Sequence, residues 1–334
     1  MSQLSRLVVV AGNTPRDRQP IVVQAVEHSF LREDVRVRLP YVGLSNSNNN
    51  NNQPKGDKTM NINELINKIG KPYFFENDIA IFNVNCEDGI RAMADIDLKV
   101  NSTITSPPYN IGKEYEKKMP TEQYIDWLSG IVNSIYKITQ KNGNFLLNIG
   151  YLPVEKKGRA VPIAYLLWDK VQFFLNQEIV WNYGAGVACK KYLSPRNEKV
   201  LWYTKDESNY IFNLDDIRDP DVKYPNQKKN GKLRCNTLGK NPSDVWQIAK
   251  VTSGKNRASK ERMPHPAQFP IDLVKRMVLG FTNKDDIILD PFIGSGTTAV
   301  TCLELGRQCV GFEIREDYCE TIKTRIERQK AAAA

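Results

Sequence analysis

The sequence contains few of the residues that build metal sites or disulfide frameworks, and it has no long apolar run. Among 334 residues there are six cysteines and two histidines, and no CxxC pair occurs. A zinc site and a disulfide-stabilised domain are therefore not expected. No stretch reaches the ~18 apolar residues of a membrane-spanning helix, and the apolar segment near the N-terminus is short and broken by Gly12, Asn13 and Pro15. We expect a soluble, cytosolic protein without a bound metal.

Positive charge is in excess and is concentrated in one segment. The formal net charge is +9, and residues 220 to 262 alone hold eleven Lys or Arg against three acidic residues. Such a concentration is typical of a surface that meets phosphates, although a solvated lysine-rich loop is the alternative interpretation. The candidate contacts in and near this segment are Lys191, Arg196, Lys228, Lys229, Lys232, Arg234, Lys255, Arg257, Lys260 and Arg262.

The composition changes near residue 60. The six basic residues up to position 54 are all arginines, and the polar tract SNSNNNNNNQPKGDK, which cannot build a core, follows. We interpret residues 1–59 as an extension with a linker, either an appendage or a cloning artefact, and expect the functional domain to begin at Met60. The terminal AAAA, residues 331–334, is an uninformative tail.

From Met60 onward, short β-rich runs alternate with amphipathic helical patterns, which predicts an α/β fold with a doubly wound, mostly parallel sheet. Strands are expected at 80–85, 102–106, 144–150, 178–183, 199–205, 286–290 and 309–314. Helices are expected at 88–95, 121–140, 163–175, 269–281, 297–306 and 315–329. Turn signals dominate in the basic segment, which therefore interrupts the sheet.

One motif, DIILDPFIGSGTTAV at 286–300, joins an apolar strand to a helix through a glycine loop. Glycines allow close approach of the backbone to a ligand, and the helix N-terminus offers N–H groups. Gly294, Gly296 and Ala299 also satisfy GxGxxA, so a dinucleotide site is a rival. A P-loop is excluded because no Gly-Lys-Ser/Thr follows.

A second motif, TSPPY at 105–109, follows an apolar strand. Proline fixes its own φ and favours extended geometry in the residue before it, so this segment is expected to be stiff. The segment has two interpretations. It is either a rigid structural turn with a packed tyrosine, or a rigid element that holds a ligand.

The two motifs together resemble the amino-directed DNA methyltransferases, which use S-adenosylmethionine to methylate an exocyclic amine of cytosine or adenine. The resemblance covers about residues 75 to 325 and implies a Rossmann-like methyltransferase fold. It implies that Glu313, which ends the next strand, holds the ribose hydroxyls. It also implies that the glycine loop holds the methionine part of the cofactor through Asp290, Pro291, Phe292, Gly294, Ser295, Gly296, Thr297 and Thr298.

Two further segments carry the resemblance. HPAQFPIDLVKRM is similar to another cofactor motif, which implies that Phe269 packs on the cofactor and His265 caps the loop. NVNCEDG is similar to the segment whose acid meets the adenine, and here Asn85 stands where an aspartate is usual. The motif order resembles the permuted β group. It implies a catalytic half at 60–205, a basic target-recognition region at 206–262 and a cofactor-binding half at 263–330.

The resemblance gives TSPPY a chemical role. An exocyclic amine is a poor nucleophile because its lone pair is delocalised into the ring. If Ser106 Oγ and the Pro107 carbonyl accept its two hydrogens, the lone pair turns toward the methyl donor, while Pro108 helps to keep the acceptors in place. Tyr109 is a candidate to stack on the base, which must first leave the duplex. Tyr183 is a second candidate to line the base pocket.

Ser-Pro-Pro-Tyr resembles the N4-cytosine enzymes, whereas Asp or Asn before Pro-Pro-Tyr is usual in N6-adenine enzymes. C5 methylation is disfavoured because no Pro-Cys pair supplies its nucleophile. An N6-adenine enzyme, an RNA or protein-amide methyltransferase, a nicotinamide-dependent oxidoreductase and a non-catalytic DNA-binding module remain open alternatives.

The expected partner is double-stranded DNA in the bacterial cytoplasm, at the nucleoid. We expect functional pairing with a restriction endonuclease without a stable complex, and a monomer or homodimer.

Overall fold

The computed structural model describes residues 62–113, 116–186, 188–251 and 261–333. The expected extension at 1–59 lies outside these ranges, as do Lys255, Arg257 and Lys260. None of the described helices is long and apolar enough to cross a membrane.

The described chain alternates helices and strands. The helices are α1 (Ile62–Ile69), α2 (Cys86–Asp95), α3 (Thr121–Ile138), α4 (Ile163–Leu167), α5 (Ile271–Phe281), α6 (Thr297–Leu305), α7 (Glu316–Ala333) and a short 3-10 helix (Leu214–Ile217). The strands are β1 (Phe74–Glu76), β2 (Ile79–Asn83), β3 (Val100–Thr105), β4 (Thr139–Ile149), β5 (Tyr151–Val154), β6 (Gly158–Pro162), β7 (Phe174–Asn182), β8 (Asn197–Thr204), β9 (Lys228–Lys229), β10 (Lys232–Leu233), β11 (Val245–Gln247), β12 (Ile287–Asp290) and β13 (Gln308–Glu313).

Nine strands form one sheet in the order β1-β2-β13-β12-β3-β4-β8-β7-β11. The five strands from β2 to β4 in this order are mutually parallel, while β8 runs antiparallel to both of its neighbours and β1 runs antiparallel to β2. The predicted mostly parallel sheet is confirmed.

Helices cover both faces of the sheet, and the strand side chains alternate between them. On β2, Ala80 and Phe82 join the core that includes residues of α1 to α4, whereas Ile79 and Ile81 join the core that includes residues of α5 to α7. This period of two is expected for strands that are buried on both faces. The doubly wound arrangement predicted from the sequence is therefore present.

The apolar face predicted for α3 is confirmed, since Tyr124, Leu128, Ile131, Ile135 and Ile138 are all buried. The spacing of these residues at three and four places one stripe of the helix against the sheet.

The prediction of a helix over 163–175 is wrong beyond its first turn. Only Ile163–Leu167 is helical, and β7 already begins at Phe174. Phe173 is buried among the rings of Tyr136, Phe145 and Tyr203, with ring centroids 5.0 to 6.1 Å apart. Packing of this aromatic cluster and pairing of β7 with β8 override the local helical pattern.

The basic segment holds three strands that the sequence pattern did not indicate. β9 and β10 form a small hairpin whose turn residues, Asn230 and Gly231, both have positive φ, as a tight hairpin turn of the NG type requires. β11 is part of the main sheet, where it pairs in parallel with β7. Trp246 on β11 is buried, so this part of the segment contributes to the core.

Candidate active site

The two sequence motifs follow neighbouring parallel strands. β3 pairs with β12, and the strands end at Thr105 and Asp290. Thr105 Oγ1 donates a hydrogen bond of 2.7 Å to Asp290 Oδ1. The TSPPY segment and the glycine loop therefore start at the same edge of the sheet, the carboxyl edge at which open α/β folds bind ligands.

A cavity of about 1230 Å³ opens at this edge. Pockets for one small ligand have volumes of roughly 300 to 1000 Å³, so the cavity is larger than one small ligand requires. Of the predicted catalytic and cofactor residues only Gly296 does not line it. The lining residues are Ser106, Pro107, Pro108, Tyr109, Asn85, His265, Phe269, Asp290, Pro291, Phe292, Gly294, Ser295, Thr297, Thr298 and Glu313.

We call residues Asp290 to Thr298 with Glu313 the cofactor wall, after the role that the sequence resemblance implies for them. Asp290 is 3% exposed, and besides Thr105 it accepts hydrogen bonds from Thr298 Oγ1 at 2.6 Å and from the Phe292 amide at 3.2 Å. Burial raises the pKa of this carboxyl to about 6, although the three donors oppose the shift. Asp290 thus connects the end of β3, the start of the loop and the first turn of α6.

Two residues of α7 that lie behind the loop, Ile322 and Arg325, fix its shape. Gly296 precedes α6 with a φ of +74°, and a Cβ at this position would lie 2.8 Å from Ile322 on α7, so a side chain is excluded here. Arg325, also on α7, is buried and donates to the Ser295 carbonyl and to Thr297 Oγ1, both at 2.9 Å. No sequence pattern indicated Arg325, because its contacts are with loop residues 28 and 30 positions away.

Glu313 ends β13 and faces the cavity from beside the loop. Its Oε2 accepts from the Gly294 amide at 3.0 Å, and its Oε1 accepts from the Arg315 amide at 2.9 Å. Burial raises the pKa of the carboxyl. After the neighbouring strand β2, Asn85 caps α2 by accepting from the Glu87 amide at 3.0 Å.

His265 packs against the outside of the glycine loop. A Cβ on Gly294 would lie 2.9 Å from His265 Nε2, and the His265 ring meets the Tyr318 ring edge-on at 4.7 Å. Nδ1 accepts from the Ala267 amide at 3.2 Å. Burial and the nearby Arg315 lower the pKa of His265 to about 4, so the ring is neutral at pH 7.

The cavity is also lined by Ser106 to Tyr109 with Asn148, Glu198 and Lys250, which we call the target wall after the role that the sequence resemblance implies for Ser106 to Tyr109. Ser106 Oγ lies 3.0 Å from the Tyr109 hydroxyl, and this hydroxyl donates to Glu198 Oε2 at 3.0 Å. The Pro108 carbonyl accepts from the Tyr124 hydroxyl at 2.8 Å. Burial and the Glu198 carboxylate raise the pKa of Tyr109 well above its usual range, so the hydroxyl keeps its proton.

Glu198 is the centre of the target wall, and the sequence analysis missed it. It also accepts from Asn148 Nδ2 at 2.9 Å and from Lys250 Nζ at 2.8 Å. Lys250 Nζ lies 3.7 Å from the ring centroid of Tyr183, which lines the cavity as predicted. The sequence feature that could have indicated Glu198 is an acidic residue near the start of the otherwise apolar strand NEKVLWYT.

The predicted phosphate contacts are more dispersed. Arg196 lines the cavity, while Lys191 is exposed in the same loop between β7 and β8. The four predicted residues of the β9–β10 hairpin region are exposed and do not line the cavity: Lys228, Lys229, Lys232 and Arg234. Arg262 is also exposed. Within the described ranges, no cluster of three or more His, Cys, Asp or Glu is placed to hold a metal ion.

The arrangement suits two ligands with different demands. The cofactor wall presents backbone groups and two buried carboxylates. The target wall presents hydroxyl and carbonyl acceptors next to aromatic rings, which fit a planar polar group with N–H donors.

Comparison with known proteins identifies the family of the chain. A model of a family described as DNA methylase matches residues 100–324. The type II methyltransferase M.ScaI of Streptomyces caespitosus is 53% identical over 268 residues, which cover 80% of this chain and 87% of that protein. The DNA adenine methyltransferase YhdJ of Escherichia coli strain K12 is 31% identical over 66% of this chain and 73% of its own length.

A solved structure has the same fold. The PvuII DNA methyltransferase, described as cytosine-N4-specific, superposes with a TM-score of 0.60 at 18% identity, covering 78% of this chain and 93% of that one. At this identity the likeness concerns the fold alone.

Proposed function

Because the chain belongs to the DNA methylase family, we propose that it is a site-specific DNA methyltransferase that methylates the exocyclic N4 amine of cytosine. The observation that carries the proposal is the position of Ser106 and the Asp290 loop in one cavity, linked by the hydrogen bond from Thr105 to Asp290.

The methyl donor is S-adenosylmethionine, and the cofactor wall fits it. Asp290 and Glu313 are two buried carboxylates in a cavity wall, which favour a ligand with a cationic sulfonium and hydroxyl donors. Glu313 already holds the Gly294 amide through one oxygen, which fixes the carboxylate for contacts with ribose hydroxyls. When bound, the cofactor supplies an electrophilic methyl group.

The target wall prepares the amine for attack. Ser106 Oγ and the Pro107 carbonyl accept the two amine hydrogens and draw the nitrogen toward tetrahedral geometry. The hydrogen bonds of the Tyr109 hydroxyl with Ser106, Asn148 and Glu198 hold the ring in place before the base arrives. Such preorganisation lowers the reorganisation needed in the transition state. Stacking on Tyr109 offsets part of the cost of unpairing the base, about a few kcal/mol.

A second candidate function differs from the first in the target base. Ser106 before Pro-Pro-Tyr supports cytosine, because it resembles the N4-cytosine enzymes. The relative YhdJ, named as an adenine methyltransferase, favours N6-adenine as the alternative. Both reactions use the same two walls and differ in the base that enters.

The remaining features support a restriction-modification role. The order of the motifs supports membership of the β group, and the type II relative M.ScaI supports pairing with an endonuclease. The exposed hairpin with Lys228, Lys229 and Lys232 is suited to phosphates, within a target-recognition region that we place in residues 206–262. We propose that the enzyme acts in the bacterial cytoplasm, at the nucleoid, where its DNA substrate lies.

The test is expression of the chain in a host without DNA methylation. We expect single-molecule sequencing to show modification at one short sequence, and mass analysis of nucleosides to show N4-methylcytosine. N6-methyladenine at one sequence would support the alternative. Labelled methyl transfer to RNA or protein, with none to DNA, would refute the proposal.

A further inference from the structure

The loop between β7 and β8 places a large apolar side chain at the mouth of the cavity, pointing away from the protein. Tyr192 and Pro195 line the cavity, whereas the side chain of Leu193 between them does not and is 94% exposed. Tyr192 itself is 56% exposed. Single exposed leucines are common on protein surfaces, so exposure alone carries no function.

Cationic residues lie on both sides of Leu193 in the sequence. Lys190 and Lys191 precede it and are exposed, and Arg196 follows it and lines the cavity. The Arg159 guanidinium lies 5.8 Å from the centroid of the Tyr192 ring. A fully exposed leucine among cations suits the DNA duplex, whose phosphates attract the cations and whose base stack is apolar.

A base that leaves the duplex leaves a gap in the stack. Proteins that distort DNA insert apolar side chains such as leucine between bases, which stabilises the opened duplex. The target base would enter the cavity past the rim on which Leu193 stands, so this side chain is next to the gap.

We propose that Leu193 enters the base stack of the DNA duplex and fills the space that the target base vacates, while Tyr192 stands at the mouth through which the base passes. The inference rests on the proposed function. It adds a residue for opening the duplex that is separate from the two walls that carry out methyl transfer.

The test compares two duplexes that contain the mapped recognition site. In one the target base is normally paired, and in the other an abasic site lies opposite it, so that no partner has to be broken. For Leu193→Ala we expect a loss of roughly tenfold in kcat/KM on the paired duplex, because unpairing is no longer compensated. On the duplex with the abasic site the variant should match the unaltered protein within about twofold.

Two further variants make the result specific. Leu193→Met keeps an apolar side chain of similar volume and should restore most of the rate on the paired duplex. Phe75→Ala removes an exposed apolar side chain from β1, at the opposite edge of the sheet from β11, and should leave both rates unchanged.

An equal loss on both duplexes, or no loss on either, would overturn the inference. Thermal melting and S-adenosylmethionine titration of Leu193→Ala should give the values of the unaltered protein, and a change in either would assign the loss to folding or to the cofactor wall. If the unaltered protein methylates neither duplex, the proposed function itself fails.

Discussion

The two walls of the cavity are built in different ways. The cofactor wall is a backbone loop held from behind by buried groups, with Asp290, Thr298 and Arg325 all less than a tenth exposed. The target wall is a network of side chains from separate strands and loops, in which Lys250 is 23% exposed and Glu198 is 16% exposed. The shape of the cofactor wall is set by the backbone of one loop, whereas the shape of the target wall depends on hydrogen bonds among a few side chains.

The difference predicts different consequences of mutation. A change in the cofactor wall should weaken cofactor binding first, since the loop loses its shape. A change in the target wall should lower turnover while cofactor binding persists, because the wall acts on the second ligand.

The largest effect is expected for Ser106→Ala in the target wall. The variant removes an acceptor that meets the amine in the transition state, and losing one such preorganised group costs about 100- to 1000-fold in kcat. The Kd for S-adenosylmethionine should stay within about twofold, since Ser106 has no hydrogen bond with the cofactor wall. Single-turnover methyl transfer and calorimetric titration measure the two quantities.

Ser102→Ala is a matched control on β3, the strand that leads into Ser106. The Ser102 hydroxyl is buried, does not line the cavity and has no hydrogen-bond partner among the described residues. Its removal should leave kcat unchanged. Turnover at the normal rate by Ser106→Ala would show that the proposed mechanism is wrong.

A comparable loss, but of binding, is expected for Asp290→Ala in the cofactor wall. The change removes three accepted hydrogen bonds and a negative charge, so the Kd for S-adenosylmethionine should rise by about a hundredfold, or about 2.7 kcal/mol. Calorimetric titration checks this value.

Asp290→Asn separates the effect of the loop shape on cofactor binding from the effect of the negative charge. It keeps the size of the side chain and a carbonyl acceptor, so it should bind the product S-adenosylhomocysteine, which lacks the sulfonium charge, better than Asp290→Ala does, while binding of the sulfonium cofactor stays weak. Equal weakening for both ligands in Asp290→Asn would mean that the loop shape, and not the charge, decides binding.

Much of the cofactor wall was visible in the sequence because its determinants are local. The run DPFIGSGTT contains the acid, the glycines and the start of α6, and a parallel fold brings strand ends to one edge. The partners of Ser106 were not visible, since Glu198 lies 92 positions away and Lys250 lies 52 residues beyond Glu198. Such a network depends on the register of β4 and β8, which residue patterns do not encode.

The same distinction explains the errors in the fold. The α3 stripe was predicted because a helix face is a local periodicity. The end of α4 was missed because Phe173 packs against Phe145 and Tyr203, which the local sequence does not reveal. β11 was missed because three residues carry too little pattern, and only pairing with β7 makes them a strand.

The third prediction concerns pH and the support of the cofactor wall. The pKa of His265 is about 4 in the folded protein, below its usual value near 6.5, so the unfolded chain binds a proton first as pH falls. His265 should therefore lower stability progressively between pH 6.5 and 4, by about 2 kcal/mol in total since the ring is only partly buried. Denaturant unfolding at several pH values measures this loss.

His265→Asn isolates the effect, because the asparagine carbonyl can replace Nδ1 as acceptor for the Ala267 amide. The raised pKa of Asp290 gives the opposite slope in the unaltered protein, with stability falling as pH rises from about 3.8 to about 6. Subtracting the stability of the variant from that of the unaltered protein at each pH removes the contribution of Asp290, which both proteins share. A difference that does not change between pH 6.5 and 4 would rule out titration of His265.

The smallest effect is expected for Glu198→Gln in the target wall. The glutamine oxygen still accepts from the Tyr109 hydroxyl, but the charge-assisted hydrogen bond from Lys250 is lost. We expect kcat to fall about five- to tenfold, or about 1 to 1.4 kcal/mol, with cofactor Kd unchanged. Glu178→Gln is the matched control, since Glu178 on β7 pairs at 2.8 Å with Lys199, the neighbour of Glu198 on β8, but does not line the cavity.

The Glu198 variants also decide what the network does. A fluorescent base analogue at the target position reports stacking on Tyr109 through the quenching of its fluorescence. If Glu198 only positions Tyr109, Glu198→Gln should retain most of this quenching. Glu198→Ala should lose the quenching and a larger share of kcat. If Lys250 needs its counter-charge, Lys250→Met should repeat the kcat loss of Glu198→Gln, and the double variant should be no slower than either single one, because both changes break one pair. Additive losses in the double variant would show that the two side chains act separately, and the target wall would then be two independent contacts instead of a network.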